Sequence, residues 1–354
     1  MATLQAPFPY FGGKSRVKAE VWARLGDVAN YVEPFFGSGA VLLGRPHKPK
    51  IETVNDKDGF VANFWRALQH DPDAVAIHVD NPVNECDLHA RELWLLGQRE
   101  SITERLMGDP YFYDAQVAGW WAWGLSCWIG GGWTSGEGPW VAEDGKMVKK
   151  MGEEDGVERK RPHLSTLGQG ISRQRPHLGN AGRSINRLGL CEQRLAWLKE
   201  WLNSLAARLH RVRVCCGDWS RVCGPSVTFG HGLTGVFLDP PYPASAGRSE
   251  ELYAVDDLGV AHVAQQWALE QGSNPRMRIV FAGYEGSLDF PSDWSIYAWK
   301  ASGGYANQGH GQGTINATRE RLWFSPHCLK AEQLSLWNTE AMEIQGMKPS
   351  GHSS

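Results

Sequence analysis

Near both ends of the chain, short strand-like runs alternate with stretches in which apolar residues have helical spacing. Apolar side chains recur at three- and four-residue intervals from Val17 to Val28, which predicts an amphipathic helix. Runs at 51–56 and 235–238 have the length of buried strands, and 260–269 has the pattern of a crossover helix. Further strands are predicted at 212–216, 277–282, 294–299 and 322–324. Because alternating strands and helices favour a parallel sheet, we predict an α/β fold with an antiparallel edge.

The middle of the chain interrupts this alternation. Residues 61–210 are mostly helical in pattern, so we predict an insertion between two halves of one sheet domain, 1–60 and 211–328. The tail, 329–354, has little pattern, and we expect its last residues to be disordered. Residues of the closing strands, including 294–299, are interpreted as core.

Four tryptophans fall within nine residues of the insertion, at 120–128. Trp120, Trp123 and the stretch 125–128 are predicted to form the buried face of a helix. Gly130, Gly131 and Gly132 then end it, and Trp133 begins a predicted loop.

The run at 235–238 ends abruptly in Asp239-Pro240-Pro241-Tyr242. Proline gives no N–H to a strand ladder and fixes its own φ, so Asp239 and Tyr242 lie on stiff backbone at the carboxyl end of a strand. In open α/β sheets that is where ligands bind. A carboxylate and a backbone carbonyl accept hydrogen bonds from an amino group, and an aromatic ring stacks on a flat heterocycle. The motif therefore suits a nucleobase, although a proline-rich turn with an incidental acid is the alternative.

A glycine turn follows the first predicted strand. Residues 31–42 fit a strand, a turn with Gly37 and Gly39, and a helix start, where backbone can approach a ligand closely. Asp56 ends the next strand, and an acid there can accept hydrogen bonds from ribose hydroxyls. Asp56 can also be the N-cap of a helix over 60–68, and the two roles are compatible.

These motifs together resemble the DNA adenine methyltransferase (Dam-like) family. The segment at 8–15 resembles its N-terminal Gly-Gly-Lys element, and 33–39 resembles its cofactor loop. Asn55-Asp56 resembles the family's acid after the second strand, and 239–242 resembles its catalytic motif. Residues 216–219 resemble, more weakly, the pair of an acid and an aromatic residue that contacts the cofactor's adenine. The motifs also occur in the family's order along the chain, and the likeness covers roughly 7–60 and 211–326.

The resemblance implies a Rossmann-like S-adenosylmethionine methyltransferase sheet with an inserted helical target-recognition domain. It implies that an adenine flipped out of duplex DNA is methylated on its 6-amino group, with Tyr242 stacking on the base. Asp239 and the carbonyl of Pro240 would accept from the amino group. Lys14 would close over the methionine end of the cofactor or meet a phosphate. The implied cofactor-binding residues are Tyr10, Lys14, Glu33, Phe36, Gly37, Gly39, Asp56, Asp218 and Trp219.

Charge is unevenly distributed along the chain. The net charge is −3, but 157–213 carries +9 and the remainder −12. Within this segment, 159–187 is rich in arginine and glycine and lacks an apolar period, which suits a loop that orders on DNA. A solvated loop is the alternative. The predicted DNA contacts are Arg161, Arg173, Arg175 and Arg183, with Trp133 or a neighbour stacking on bases in the region where the family carries a DNA-entering hairpin.

Composition excludes several other classes. Seven cysteines include no Cys-x-x-Cys pair, so we predict a reduced, cytoplasmic protein without a metal site. No run reaches the length of a membrane span, and the start lacks a signal-peptide pattern. The alternatives to adenine methylation are methylation of the cytosine 4-amino group, an RNA- or protein-amide methyltransferase, and a non-catalytic DNA-binding protein.

Overall fold

The computed structural model describes residues 4–10, 13–128, 133–135, 140–143, 146–149, 188–241, 259–299 and 319–330. The helices are α1 (Lys18–Leu25), α2 (Ala40–Leu43), α3 (Gly59–His70), α4 (Pro72–Val79), α5 (Glu85–Gly108), α6 (Ala115–Cys127), α7 (Leu188–Leu209) and α8 (Val260–Gly272). The strands are β1 (Asn30–Glu33), β2 (Ile51–Asp56), β3 (Trp140–Glu143), β4 (Lys146–Lys149), β5 (Arg213–Cys216), β6 (Thr234–Leu238), β7 (Met277–Tyr284), β8 (Ser295–Ala298) and β9 (Glu320–Phe324).

Seven strands form one sheet in the order β5-β2-β1-β6-β7-β9-β8. The pairs from β5 to β7 are parallel, and β9 pairs antiparallel with both β7 and β8. This confirms the predicted α/β class and its antiparallel edge. The predicted strands agree with the observed ones to within two residues at each end.

The order of the strands creates a crevice between β1 and β6. From β1 the chain moves outward to β2 and β5, and then returns to the other side of β1 as β6. Such a switch point is where open α/β sheets bind ligands, outside the carboxyl ends of the strands. It brings the residues after Glu33 next to Asp239, although they are far apart in sequence.

The sheet is covered on both faces. Val236 and Leu238 point into a cluster that includes α8, whereas Phe237 points into a larger cluster on the opposite face. This period-two alternation explains why all five residues of β6 are buried.

Helices of the predicted insertion pack in the same core as the sheet. Buried side chains of α3, α4, α6 and α7 belong to the larger cluster. At the end of α7, Arg208 donates two hydrogen bonds to Glu52 of β2, at 2.7 and 2.8 Å, and Arg45 donates a third at 3.1 Å. Helices α3 and α7 therefore flank the sheet, and the limits of a recognition domain at 61 and 210 stay a prediction.

Two expectations for the tryptophan-rich segment are wrong. Trp120 is only half-buried and packs against Trp94. Trp121 and Trp123 are both buried, because α6 is enclosed by other helices on most sides. Trp133 was predicted to contact DNA, but it is 5% exposed and its Nε1 donates to the carbonyl of Trp121 at 3.0 Å. Its ring lies over Gly124, where there is no side chain in the way. Trp133 is therefore a core residue.

Strands β3 and β4 form an antiparallel hairpin that pairs Trp140 with Lys149. It lies where the family resemblance implies a hairpin. The predicted arginine-rich loop, 159–187, and the tail beyond 330 lie outside the described residues. In the part of the chain that the structure describes, no helix is long and apolar enough to cross a membrane.

Candidate active site

A cavity opens at the carboxyl ends of β1, β2 and β6. It encloses about 950 Å³ of space, part of it open to solvent. The predicted site residues that line it are Tyr10, Lys14, Glu33, Phe36, Gly37, Asp56, Asp218, Trp219 and Asp239. Gly39 and Pro240 lie in the same two loops without lining the cavity, and Tyr242 is outside the described residues.

The loop after β1 needs its two glycines. Gly37 has φ +47°, and a Cβ placed on it would lie 2.6 Å from the ring of Tyr10. Gly39, which precedes α2, has φ +67°, and a Cβ there would lie 2.9 Å from Phe36. Both positions therefore combine a left-handed backbone with a close approach of aromatic side chains, which only glycine tolerates. The backbone of this loop consequently forms one wall of the cavity.

Asp56 holds this loop from the end of β2. Its Oδ2 accepts from the Gly37 N–H at 2.9 Å, and its Oδ1 accepts from the Asp58 N–H at 3.0 Å. Burial raises the pKa of Asp56 to about 7, although the two backbone hydrogen bonds act in the opposite direction. The helix N-cap is Asp58, which accepts from the Phe60 N–H at 2.9 Å. The N-cap role that was considered for Asp56 is therefore filled by Asp58.

Asn55 is a positioning residue that the sequence interpretation quoted but gave no separate role. Its Nδ2 donates to the carbonyls of Pro34 at 3.1 Å and Gly217 at 3.0 Å. It therefore ties together the loops that follow three neighbouring strands. A buried asparagine at a strand end is the signal that points to such a role, since buried amides are normally hydrogen-bonded.

An acidic and aromatic rim follows β5. Asp218 accepts from the Ser220 N–H at 2.9 Å, and the Ser220 hydroxyl holds the pKa of this carboxyl below its ordinary value. Trp219 is stacked with Phe35 at 6.0 Å and 27° between the ring planes. Phe35 also lines the cavity and was not among the predicted site residues. This side of the cavity offers a flat apolar surface beside an ionised carboxylate.

Asp239 and Lys14 form a buried ion pair. Lys14 Nζ lies 2.9 Å from Asp239 Oδ1, and the two side chains are 3% and 18% exposed. Lys14 was expected to meet the cofactor or a phosphate, and a contact with the carboxylate of the 239–242 motif was not predicted. The pair joins the N-terminal element to the strand end that follows more than two hundred residues later.

The cavity thus unites the N-terminal element, the glycine turn, the acid after β2 and the 239–242 motif. The family model for D12 class N6 adenine-specific DNA methyltransferases matches residues 10–98. This segment of the chain is therefore similar to that family. No curated protein matches the chain at a significant level. The match confirms the resemblance and supports adenine methylation in DNA. It includes Lys14, Gly37 and Asp56 of this D12-class segment, whereas Asp239 lies beyond its end.

Glu33 is a buried acid that lines the cavity. It is 2% exposed, and the Tyr31 hydroxyl donates to its Oε2 at 2.8 Å. Burial raises the pKa of Glu33 well above its ordinary value, and the nearby charge of Asp239 adds to this shift. Burial therefore disfavours a second negative charge next to Asp239.

Arg99 of α5 connects Asp58, which lines the cavity, to the turn at 133–135. Its Nη1 lies 3.9 Å from Asp58 Oδ1, and its Nη2 donates to the carbonyl of Thr134. The turn at 133–135 leads towards the hairpin β3–β4. Sequence reasoning did not select Arg99, because nothing in an amphipathic helix distinguishes it from other surface arginines.

The predicted DNA contacts remain a prediction. Arg161, Arg173, Arg175 and Arg183 lie outside the described residues. Among the residues that are described, no group of three or more His, Cys, Asp or Glu side chains is arranged to hold a metal ion.

Proposed function

We propose that the protein is a site-specific DNA methyltransferase that moves a methyl group from S-adenosylmethionine to the 6-amino group of a flipped adenine. The observation that carries the proposal is one cavity that joins the Asp56–Gly37 loop to the Asp239–Lys14 pair. A ligand held by the first would present its reactive end to the second. The family match over 10–98 supports DNA as the substrate.

The cavity residues fit S-adenosylmethionine. Asp56 is a buried carboxylate after the second strand, suited to ribose hydroxyls, and Asp218 is an ionised acceptor suited to an exocyclic amine. Phe35 and Trp219 provide an aromatic wall for a purine, while Tyr10 lies over Gly37. Bound there, the cofactor supplies a methyl group already activated by its sulfonium centre.

The chain's own residues position the acceptor. Asp239 and the carbonyl of Pro240 accept hydrogen bonds from the two amino hydrogens, and Tyr242 stacks on the base. This orients the nitrogen lone pair for in-line attack, and such positioning accounts for much of the acceleration. As the new carbon–nitrogen bond forms, the carbon–sulfur bond of the cofactor would break and leave a neutral thioether, and the nitrogen would then release one proton to solvent. Lys14 holds the Asp239 carboxylate in place, so Asp239 acts chiefly as an acceptor.

The insertion supplies target recognition in this proposal. In it, the arginine-rich loop contacts phosphates and the hairpin β3–β4 meets the duplex. Flipping the adenine brings it from the stack into the cavity. The arginine-rich loop and the hairpin are thus assigned to DNA, and the sheet with its flanking helices, α3 and α7 among them, to catalysis.

The deciding experiment is nucleoside mass spectrometry of plasmid DNA from cells that express this chain and lack their own adenine methylation. An Asp239→Ala control is grown beside it. 6-Methyladenine only with the unaltered protein supports the proposal. 4-Methylcytosine would keep the mechanism and change the base. No methylated base, with a folded protein that binds S-adenosylhomocysteine, would redirect the search to RNA or protein.

Cofactor affinity is expected to rise with pH around neutrality. Asp56 has a pKa of about 7, and its ionised form is the better acceptor for ribose hydroxyls. Binding should therefore release a proton, and the Kd for S-adenosylhomocysteine should fall by about tenfold between pH 6 and pH 8. The raised pKa of Asp56 has the opposite effect on the stability of the fold. The folded protein favours the protonated carboxyl, so this contribution to stability is lost as the pH rises through 7. Calorimetric titration at several pH values measures the affinity.

The pH effect can be assigned to one carboxyl by substitution. Asp56→Asn should weaken binding and remove its pH dependence, because an amide leaves one of the two backbone N–H groups without an acceptor. Asp218 has a lowered pKa and stays ionised over this range. If Glu33→Gln rather than Asp56→Asn flattens the profile, the titrating group is Glu33.

Neutralising Arg173 and Arg175 together is expected to weaken DNA binding and flatten its salt dependence. Each lost phosphate contact reduces the slope of log K against log salt by about 0.9, so the double variant should lose about 2. Filter binding or fluorescence anisotropy with a duplex between about 50 and 200 mM salt measures this slope. The exposed Lys48 provides a control substitution that should leave it unchanged. If the slope is unaltered in the double variant, the loop does not contact phosphates and is a solvated loop.

A further inference from the structure

Trp299 lies at the same sheet edge as Asp239. Strand β8 is antiparallel to β9, which is antiparallel to β7, so β8 runs in the same direction as β6 and β7. Trp299 comes directly after β8, and its backbone N–H donates to the carbonyl of Glu320 at 3.2 Å. Its indole ring therefore stands among the carboxyl ends of the central strands rather than in the middle of the sheet.

The indole lies near the proposed catalytic ion pair. Lys14 Nζ lies 5.9 Å from the centroid of the Trp299 ring and 2.9 Å from Asp239. Trp299 is not among the residues that line the cavity, whereas Lys14 and Asp239 are. One ammonium group therefore lies near both the carboxylate and a flat aromatic ring that is not part of the cavity lining. A base whose amino group reaches Asp239 would lie close to that ring.

The indole N–H of Trp299 is buried and has no hydrogen-bond partner in the described structure. Trp22, Trp65 and Trp123, in contrast, donate to backbone carbonyls at 2.7, 2.9 and 3.1 Å. Leaving a buried donor unpaired is costly, so its persistence needs a reason. In an amino-substituted heterocycle, an amino group that donates hydrogen bonds lies next to a ring nitrogen that accepts one. The Asp239 carboxylate could accept from such an amino group, and the indole N–H of Trp299 could donate to the ring nitrogen.

We propose that Trp299 forms a wall of the target-base site, packs against the flipped base and donates its indole N–H to a ring nitrogen beside the base's amino group. This inference rests on the proposed methylation of a base amino group. It gives a binding role to a residue that the sequence pattern assigned to the core. Asp239 and Trp299 then contact neighbouring positions on one edge of the base. Asp239 accepts from the amino group, and Trp299 donates to the ring nitrogen.

Trp299→Phe tests the proposal because it keeps a flat ring and removes the N–H. On plasmid DNA, kcat/KM should fall by about tenfold or more, since a hydrogen bond made only in the complex is lost. The Kd for S-adenosylhomocysteine should stay within about twofold, because Trp299 does not line the cofactor cavity. The melting temperature should be unchanged or higher, because the free protein loses an unpaired buried donor. Trp299→Leu, which also loses the ring, should be less active still.

Trp294→Phe is the matched control. Trp294 is buried in the cluster around α8 and packs against Phe290, away from Lys14. This substitution should lower stability without changing kcat/KM. Equal kcat/KM for wild type and Trp299→Phe, or a parallel loss of cofactor affinity, overturns the role of Trp299. Absence of methyl transfer by the wild-type protein instead removes the proposed function, together with the inference that depends on it.

Discussion

Asp239→Ala is expected to lower kcat for methyl transfer to DNA by about a thousandfold or more, while the affinity for S-adenosylhomocysteine changes little. The carboxylate accepts from the target amine, and that bond aligns the nitrogen only when the base is in place. Asp239→Asn keeps one acceptor oxygen and should retain more activity than the alanine variant. Single-turnover transfer of labelled methyl groups, beside calorimetric titration of the cofactor product, separates chemistry from binding.

The alanine variant also removes one partner of a buried ammonium. Lys14 is 3% exposed, and breaking a buried ion pair by removing one member costs about 3–5 kcal/mol of stability. A Lys14→Met/Asp239→Ala double variant removes both charges and should recover most of the folding stability without recovering activity. Asp293→Ala, at an exposed aspartate outside the cavity, controls for the loss of a carboxylate. Loss of cofactor affinity in step with activity would assign Asp239 to the cofactor instead.

The strands and the position of the cavity could be predicted because they depend on local patterns. β2 is a short strand that ends in Asp56, and β6 is a short run with apolar residues at 236–238 that is followed directly by Asp239. A parallel sheet brings such ends to one edge, so Asp56 and Asp239 could be placed at a common site before their distance was known. The glycine requirement at Gly37 and Gly39 was also local, because a turn between a strand and a helix favours it.

Contacts between distant segments could not be predicted. The pairing of Lys14 with Asp239 depends on how an N-terminal segment crosses the sheet edge, and neither residue indicates its partner. Asn55 likewise ties loops whose proximity is set by strand order. Trp133 was misinterpreted for the same reason: it follows three glycines in sequence, but its environment is set by Gly124 on α6.

Gly124→Ala is expected to destabilise the protein by about 3 kcal/mol. A Cβ at this position would lie 1.9 Å from the ring of Trp133, far inside van der Waals contact. The indole would have to leave its site against α6 and give up its hydrogen bond to the carbonyl of Trp121. In an open helix the same substitution stabilises by about 1 kcal/mol, so the expected sign is opposite to helix propensity. Urea unfolding with a fitted m-value measures the change.

Gly97→Ala is the matched control, because Gly97 lies within α5 and a Cβ there meets nothing within 4 Å. It should stabilise the protein by about 0.5–1 kcal/mol, as expected for alanine in an unobstructed helix. Opposite signs for the two glycines would establish that Trp133 is seated on α6 in solution. If Gly124→Ala is instead as stable as Gly97→Ala, Trp133 is not packed there, and its ring becomes available to DNA once more.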